Sequence, residues 1–178
     1  MDKLEVEAKY RVLCDLDYIV KRLEELGFTR IRDWIEKDTY YNHPCRDFKQ
    51  TDEALRLRVI KHQETVTSYL TYKGPRLRED KVKIRHEIEC RVLDHDKVGA
   101  VLESLGFNKV LSYSKHRIMY RNGDIIVFID NVFGLGYYIE VEGAEDKIQN
   151  IYEYLKECLE FVRETYLELC LKTNSCRE

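Results

Sequence analysis

Strict alternation of apolar and charged residues marks the start of the chain. Between residues 4 and 12 every second position is apolar, and the intervening positions are Glu5, Glu7, Lys9 and Arg11. A side-chain period of two is typical of a strand with one buried face. The same kind of pattern predicts seven further strands, over residues 36–42, 54–60, 66–73, 83–92, 112–121, 124–130 and 137–142.

Three segments follow the period of a helix instead. Residues 16–26 and about 95–105 carry apolar residues at three- and four-residue steps, follow aspartates that can cap them, and end at Gly27 and Gly106. A third helical segment begins near residue 145 and continues through the tail, with a break near Phe161.

The two halves of the chain repeat one series of short motifs. Glu-Val-Glu-Ala, Arg-Val-Leu and Leu-Gly-Phe occur in that order within residues 5–28. Glu-Ile-Glu-Cys, Arg-Val-Leu and Leu-Gly-Phe occur in the same order within residues 87–107. An ordered series of three matches indicates a duplication inside one domain, which we expect to span residues 1–178.

Composition limits the functions that such a chain can have. Charged residues make up 35% of the 178 residues, yet 30 Lys and Arg against 33 Asp and Glu leave a formal net charge of −3. This balance argues against a simple basic polyanion-binding protein. A hydrophobic fraction of 44% with only 2 Pro excludes a disordered chain.

The N-terminus and the cysteines indicate an ordinary cytoplasmic protein. The first ten residues are charged and alternating, which is not the pattern of a signal peptide, and no apolar run approaches membrane length. Six scattered cysteines lack the spacing of a zinc site. We expect most of them to be small apolar residues or free thiols.

The charged strand faces decide between an open and a closed sheet. An open sheet with a solvated face would explain any single strand, but the charged faces carry Glu-x-Glu and Arg-x-Arg pairs rather than a mixed polar surface. Amphipathic helices also need an apolar surface to dock on. We therefore predict an α+β fold in which eight antiparallel strands close into a β-barrel, with flanking helices outside and the charges inside.

A charged interior calls for ligands of opposite charge, because uncompensated buried charge is costly. The carboxylates predicted to face inward are Glu5, Glu7, Glu87, Glu89, Asp130, Glu140 and Glu142. The cations predicted to face inward are Lys9, Arg11, Arg56, Arg58, Lys73, Arg85, Arg91, Lys115 and Arg117. Clustered carboxylates suit Mg²⁺ or Mn²⁺, and clustered Arg and Lys suit phosphate, so the pattern predicts a site for a metal–polyphosphate.

These residues also resemble the signature of the CYTH superfamily, the triphosphate tunnel metalloenzymes. The family's Glu-x-Glu-x-Lys opening stands at residues 5–9, and five further elements follow in order at 51–58, 72–75, 85–89, 115–117 and 130–142. They read Thr-Asp-Glu-Ala-Leu-Arg-Leu-Arg, Tyr-Lys-Gly-Pro, Arg-x-Glu-x-Glu, Lys-x-Arg and Asp…Gly-Leu-Gly…Glu-x-Glu. The resemblance extends over about residues 3–171 and looks closest to the class IV adenylyl cyclase-like members.

The resemblance implies a barrel whose tunnel binds a triphosphate and divalent metal, Mg²⁺ or Mn²⁺. The implied metal ligands are Glu5, Glu7, Asp130, Glu140 and Glu142. The implied triphosphate ligands are Lys9, Arg56, Arg58, Lys73, Arg85, Lys115 and Arg117, supported by Glu87, Glu89 and Arg91. The implied catalytic residues are Lys9, Glu7, Glu142 and Tyr40, with Tyr41 as the alternative tyrosine.

Three activities remain open at the level of sequence. The first is a class IV adenylyl cyclase-like reaction from ATP to cyclic AMP and pyrophosphate. The second is an inorganic tripolyphosphatase or a nucleoside or thiamine triphosphatase, and the third is a non-catalytic polyphosphate or nucleotide binder. The expected partner is a small-molecule triphosphate, without nucleic acid or membrane, and a homodimer is left open.

Two further features have alternative interpretations. Trp34 is either a packing residue or a stacking surface for a base or thiazole. The basic segment 76–83 is either a solvated loop or a lid over the phosphates.

Overall fold

Eight antiparallel strands form a closed ring in the computed structural model. The structure describes residues 3–79 and 83–178, and the side chains of residues 3–5, 78 and 79 are not described. In chain order the strands are β1 (Lys3–Val12), β2 (Thr29–Asn42), β3 (Ala54–His62), β4 (Thr65–Lys73), β5 (Arg78–Glu79), β6 (Lys83–Val92), β7 (Asn108–Asn122), β8 (Ile125–Val132), β9 (Gly136–Glu142) and β10 (Leu159–Phe161). Ring neighbours follow the order β1-β9-β8-β7-β2-β3-β4-β6, and β6 pairs back onto β1. The predicted antiparallel barrel is thereby confirmed.

Four helices accompany the ring; the first three cover its apolar outside, and the fourth lines the cavity inside it. They are α1 (Leu16–Glu25), α2 (His95–Ser104), α3 (Glu145–Leu155) and α4 (Tyr166–Thr173), with a short 3₁₀ turn at Lys156–Cys158. Ile19 of α1 and Ile148 of α3 pack with Val127 and Ile139 of the ring in one buried core. Gly99 lets α2 pass close to the sheet, since a Cβ there would lie 3.1 Å from Tyr41 Oη. No helix in the described part of the chain is long and apolar enough to cross a membrane.

The second strand is longer than the alternation predicts. It begins at Thr29 rather than at residue 36, so Trp34 lies within β2, opposite Arg117 of β7. The register of β2 against β7 shifts between Arg30 and Arg32. The irregularity disturbs the start of the strand. Residues 33–36 pair regularly, but the apolar Trp34 faces inward and the apolar Ile35 outward, so apolar and charged positions do not alternate there.

The tail also differs from the predicted helix with one break. A strand, β10, follows α3 and pairs antiparallel with Tyr10–Val12 of β1. The pairing has a physical reason: β6 occupies this edge of β1 only as far as Glu7, so the rest of the edge would otherwise be unpaired. The chain then turns into α4, whose first turn is fixed by a capping box between Thr165 and Glu168.

The expectation of free cysteines was wrong for four of the six. Cys14 pairs with Cys158 and Cys170 pairs with Cys176, while Cys45 and Cys90 are free and exposed. The backbone N–H of Leu13 donates to the carbonyl of Cys158 at 2.9 Å, which places the first pair side by side. Sequence spacing could not indicate this pair, because it depends on where β10 docks.

Candidate active site

A cavity of about 920 Å³ lies inside the ring and is lined by side chains from all eight ring strands and from α4. The predicted site residues on its lining are Glu7, Lys9, Tyr40, Arg56, Arg58, Lys73, Arg85, Glu87, Glu89, Lys115, Arg117, Glu140 and Glu142. Arg11 and Arg91 are exposed instead, near the ends of their strands. The side chain of Glu5 lies outside the described residues.

Asp130 is the centre of a buried ion-pair cluster. Its carboxylate accepts hydrogen bonds from Arg117 Nε at 2.7 Å and from Lys115 Nζ at 3.1 Å. The Tyr166 hydroxyl of α4 also donates to it, at 2.9 Å. Because Asp130 is fully buried, its oxygens are devoted to these donors rather than exposed to the cavity.

Lys9 occupies a second cluster beside the first. Its ammonium lies 3.2 Å from Glu140, its register partner across β1 and β9, and Glu140 also pairs with Arg117. Burial alone would raise the pKa of Glu140, but Lys9, Arg117 and Lys115 outweigh it and hold that pKa well below its usual range. Glu140 therefore stays charged and fixes two of the predicted phosphate ligands in place.

The tyrosine against Lys9 is one that sequence reasoning missed. Lys9 Nζ lies 3.8 Å from the ring centroid of Tyr166, whereas the predicted Tyr40 lines the cavity and stacks on Tyr113 with centroids 6.1 Å apart. Burial, followed by the charge of Asp130, raises the pKa of Tyr166 well above its usual value. Tyr166 is thus a neutral hydrogen-bond donor.

Lys83 is another buried cation that was not predicted as a site residue. Lys83 and Lys9 both donate to the backbone carbonyl of Glu164, at 3.3 and 3.4 Å. Burial and the nearby Lys9 lower the pKa of Lys83 to about 8. The predicted lid segment that contains Lys83 lies partly outside the described residues, at 80–82.

Two carboxylates of β2, Glu36 and Asp38, were also missed. Asp38 accepts Arg58 Nε and Nη2 at 2.6 and 2.7 Å, while Glu36 lies 3.1 Å from Arg58 and 3.3 Å from Lys115. Burial would raise the pKa of both carboxyl groups, but the cations outweigh it, led in each case by Arg58, and both pKa values are lowered. The available signal was the alternation itself, which puts Glu36, Asp38 and Tyr40 on one face.

Glu7 and Glu142 form a further pair of carboxylates on the cavity lining. They are register partners across β1 and β9, and both line the cavity. Two adjacent carboxylates supply the oxygen donors that Mg²⁺ prefers, so they fit a divalent metal by their chemistry. Within residues 3–79 and 83–178, no described group of three His, Cys, Asp or Glu side chains converges as a metal site. Glu5, the other predicted metal ligand on β1, has a side chain outside the described residues.

One mouth of the cavity carries a network around Asp52, which lies in the loop before β3. Asp52 accepts hydrogen bonds from the backbone and side chain of Arg76, at 2.8 and 2.9 Å, and from Arg85 at 2.9 Å. Arg76 also reaches Glu168 of α4, at 3.3 Å. The network therefore joins the segment after β4 to the C-terminal helix.

Comparisons with known proteins agree with this architecture. The sequence model of the CYTH domain matches residues 3–173. MJ0240 of Methanocaldococcus jannaschii, whose name assigns it provisionally to the adenylate cyclases, is 36% identical over 93% of this chain and 98% of its own length. The structure of PH1819 from Pyrococcus horikoshii is 36% identical, with a TM-score of 0.76 over 94% of this chain and 99% of that one. HpAC1 from Hippeastrum, described as having a dominant triphosphatase activity, shares the fold at 18% identity, with a TM-score of 0.74 over 97% of both chains.

Proposed function

The chain belongs to the CYTH domain family, and from this premise we propose that it is a divalent-metal-dependent enzyme acting on a triphosphate, with ATP converted to cyclic AMP and pyrophosphate. The observation that carries the proposal is a set of buried cations, including Lys9, Arg56, Lys115 and Arg117, that line one cavity inside the ring. A relative with a cyclase name, identical at 36% of positions over nearly its whole length, supports the choice of reaction.

The proposed chemistry needs charge neutralisation and alignment more than covalent help. The ribose 3′-oxygen attacks the α-phosphorus, the bond to the bridging oxygen breaks, and pyrophosphate leaves. Arg58 and Arg117 are suited to hold phosphate oxygens, because their guanidinium groups are fixed by two carboxylates each. Glu7 and Glu142, together with Glu5, would hold the divalent ion, which supplies Lewis-acid activation and charge neutralisation when bound.

Lys9 is proposed to stabilise the reacting oxygen, and Tyr166 is proposed to position Lys9 and its neighbours. Lys9 is buried and contacts both Glu140 and the Tyr166 ring, so it can place a positive charge at a developing oxyanion. Tyr166 is a neutral donor that keeps the Asp130 cluster in place. We propose Tyr166 in the role that the sequence assigned to Tyr40.

A triphosphatase is the second candidate, and the contact between Lys9 and Tyr166 favours it. The resemblance implies that some triphosphatases of the family pair this lysine with a tyrosine on the next strand, for which the sequence offers Tyr40 or Tyr41; in the structure the tyrosine against Lys9 is Tyr166 of α4 instead. The same cations would serve that reaction, with water attacking the terminal phosphorus. HpAC1 shows that a CYTH-fold protein with a cyclase name can carry this activity.

One assay separates the candidates. The protein is incubated with Mg²⁺ or Mn²⁺ and with either ATP or tripolyphosphate. Cyclic AMP with pyrophosphate supports the cyclase, whereas orthophosphate from both substrates supports the triphosphatase. Tight binding without turnover would contradict both and support a binder.

A matched pair of lysines on β7 tests the tunnel assignment. Lys115→Met removes a fully buried cation and is expected to abolish turnover. Lys109→Met changes an exposed lysine near the start of the same strand, paired with Glu178, and is expected to retain it. Equal activities of the two variants would contradict a reaction inside the cavity.

A further inference from the structure

We propose that the end of the cavity beside Trp34 binds the aromatic base of a nucleotide, so that this enzyme selects nucleoside triphosphates over inorganic tripolyphosphate. The inference rests on the proposed function, because it assumes that the phosphates of the same substrate lie on the tunnel cations. It adds the residues that recognise the organic part of the substrate.

Five apolar and aromatic side chains from adjacent strands meet at this end of the cavity, while a second apolar group, with Phe48, Val110 and Leu171, lies elsewhere on the lining. Phe128, Met119, Trp34, Ile60 and Tyr69 all line it, and they come from five consecutive ring strands, β8, β7, β2, β3 and β4. We call these five residues the apolar wall. Trp34 and Phe128 are each only 8% exposed, whereas Ile60, Tyr69 and Met119 are half-buried, so an apolar ligand group would cover the surface that these three leave open beside the two rings.

Strand geometry explains why the wall forms at one end. Each wall residue stands two positions from another inward residue, as Trp34 does from Glu36 and Ile60 does from Arg58. Going from that inward residue to the wall residue means moving toward the N-terminus on β2, β4 and β8. On β3 and β7 it means moving toward the C-terminus. Because neighbouring strands run antiparallel, these opposite steps all lead to the same end of the ring.

The orientation of Trp34 is fixed before any ligand binds. Its indole N–H donates to Glu36 Oε1 at 2.7 Å, and Glu36 is itself held by Arg58 and Lys115. Phe128 packs edge-on against it, with ring centroids 6.2 Å apart and planes at 82°. The Arg32 guanidinium also lies over the indole, 4.9 Å from the ring centroid, so a base would stack on the ring in place of Arg32 or on its other face. A preorganised aromatic surface loses little freedom when a base stacks on it.

The wall begins where the proposed phosphate ligands end. The guanidinium carbon of Arg117 lies 4.2 Å from the centroid of the Phe128 ring, and Arg117 is the register partner of Trp34. A nucleotide with phosphate oxygens on Arg117 and Arg58 would therefore have its organic end next to Trp34 and Phe128. Tripolyphosphate has no group that could cover this surface.

The chain offers a direct probe, because Trp34 is its only tryptophan. Stopped-flow fluorescence, excited at the red edge of tryptophan absorption where adenine does not absorb, follows mixing with Mg²⁺ and either ATP or tripolyphosphate before product accumulates. Phosphate on Arg58 acts on Trp34 through Glu36 with either ligand, so we expect saturating tripolyphosphate to change the emission to a small extent and ATP to add a larger change from the stacked base. Equal changes with the two ligands, or no change with ATP, would overturn the inference.

Variants test the same point through kinetics. Trp34→Leu keeps apolar bulk but removes the ring, and it should raise KM for ATP about tenfold while KM for tripolyphosphate changes little. Trp34→Phe should restore most of the affinity for ATP. The control Phe161→Leu removes a ring that packs on Tyr10 and is not part of the cavity lining, and it should change neither KM.

The outcomes distinguish the inference from the proposed function. Equal increases of both KM values in Trp34→Leu would make Trp34 a packing residue, with the enzyme assignment intact. Absence of turnover with any triphosphate would refute the proposed function. The fluorescence of the unsubstituted protein would still decide whether a base binds at the apolar wall.

Discussion

Replacing Asp130 by Asn removes a negative charge from the interior of the ring while nearly preserving the side-chain shape. Asp130 is fully buried and accepts hydrogen bonds from Arg117, Lys115 and Tyr166. An asparagine has one acceptor oxygen in place of two, and its NH₂ group would face the N–H and O–H groups that donate to Asp130. The variant therefore tests whether the two cations need this counter-charge.

The expected loss of stability follows from the partners that remain. Breaking a buried ion pair by removing one partner costs about 3–5 kcal/mol. Arg117 keeps Glu140, and Lys115 keeps Glu36 at 3.3 Å, so neither cation is left entirely without a carboxylate. We therefore expect the lower end of the range, a decrease of about 3 kcal/mol in the free energy of unfolding.

Urea unfolding followed by circular dichroism, in EDTA at neutral pH, measures this change as a shift of the midpoint at constant m-value. The control is Asp124→Asn, an exposed aspartate in the turn of the same β7–β8 hairpin, which should alter stability by less than about 0.5 kcal/mol. A loss below about 1 kcal/mol in Asp130→Asn would refute the counter-charge reasoning.

Other expected outcomes concern the metal ligands, acid and the disulfides. Glu142→Gln should abolish Mg²⁺-dependent turnover, because its carboxylate is proposed to hold the metal at the cavity lining; full activity would contradict its assignment. Glu36 and Asp38 have pKa values lowered from their usual 4.5 and 3.8, so each contributes stability that is present above those values and is lost as pH falls through the folded-state values. Urea midpoints should therefore decline below about pH 4.5, and constant midpoints down to pH 3 would count against this. Reducing the Cys14–Cys158 disulfide, which joins residues 144 apart in sequence, should lower the unfolding free energy by about 2–4 kcal/mol, and an unchanged midpoint in reductant would argue against the bond.

The alternation of charged and apolar residues was sufficient to predict the ring and most of its lining. Glu7 and Lys9 could be placed inside because every strand of a closed ring turns one face inward, and their spacing puts both on that face. Glu36 follows the same rule, and its inward position could have been predicted from the sequence. The inward position of Trp34 could not, because the next residue, Ile35, is also apolar and faces outward, so polarity does not distinguish the two faces at this point of β2.

Tyr166 shows what the period of two cannot predict. It belongs to a helix, and it reaches Lys9 because β10 first pairs with β1 and returns the chain to the ring. That pairing depends on the edge of β1 being vacant beyond Glu7, which is a property of the assembled sheet. No local pattern in residues 159–166 encodes it.

The cations proposed to hold the triphosphate already have carboxylate partners. Arg58 is paired with Asp38 and Glu36, and Arg117 is paired with Asp130 and Glu140. A triphosphate entering this cavity therefore adds negative charge without meeting a comparable excess of positive charge. Such a charge imbalance is costly in an enclosed site, where interactions are screened less than in water.

A divalent cation that enters with the triphosphate offsets two of its negative charges. We therefore expect ATP affinity, measured by equilibrium dialysis, to weaken about tenfold or more when EDTA removes divalent ions and to recover when Mg²⁺ is restored. Glu142→Gln should weaken the binding measured with Mg²⁺ much more than the binding measured in EDTA, because its carboxylate is proposed to act through the metal. Equal ATP affinity with and without divalent ions would show that the arginines exchange their carboxylates for phosphate unaided.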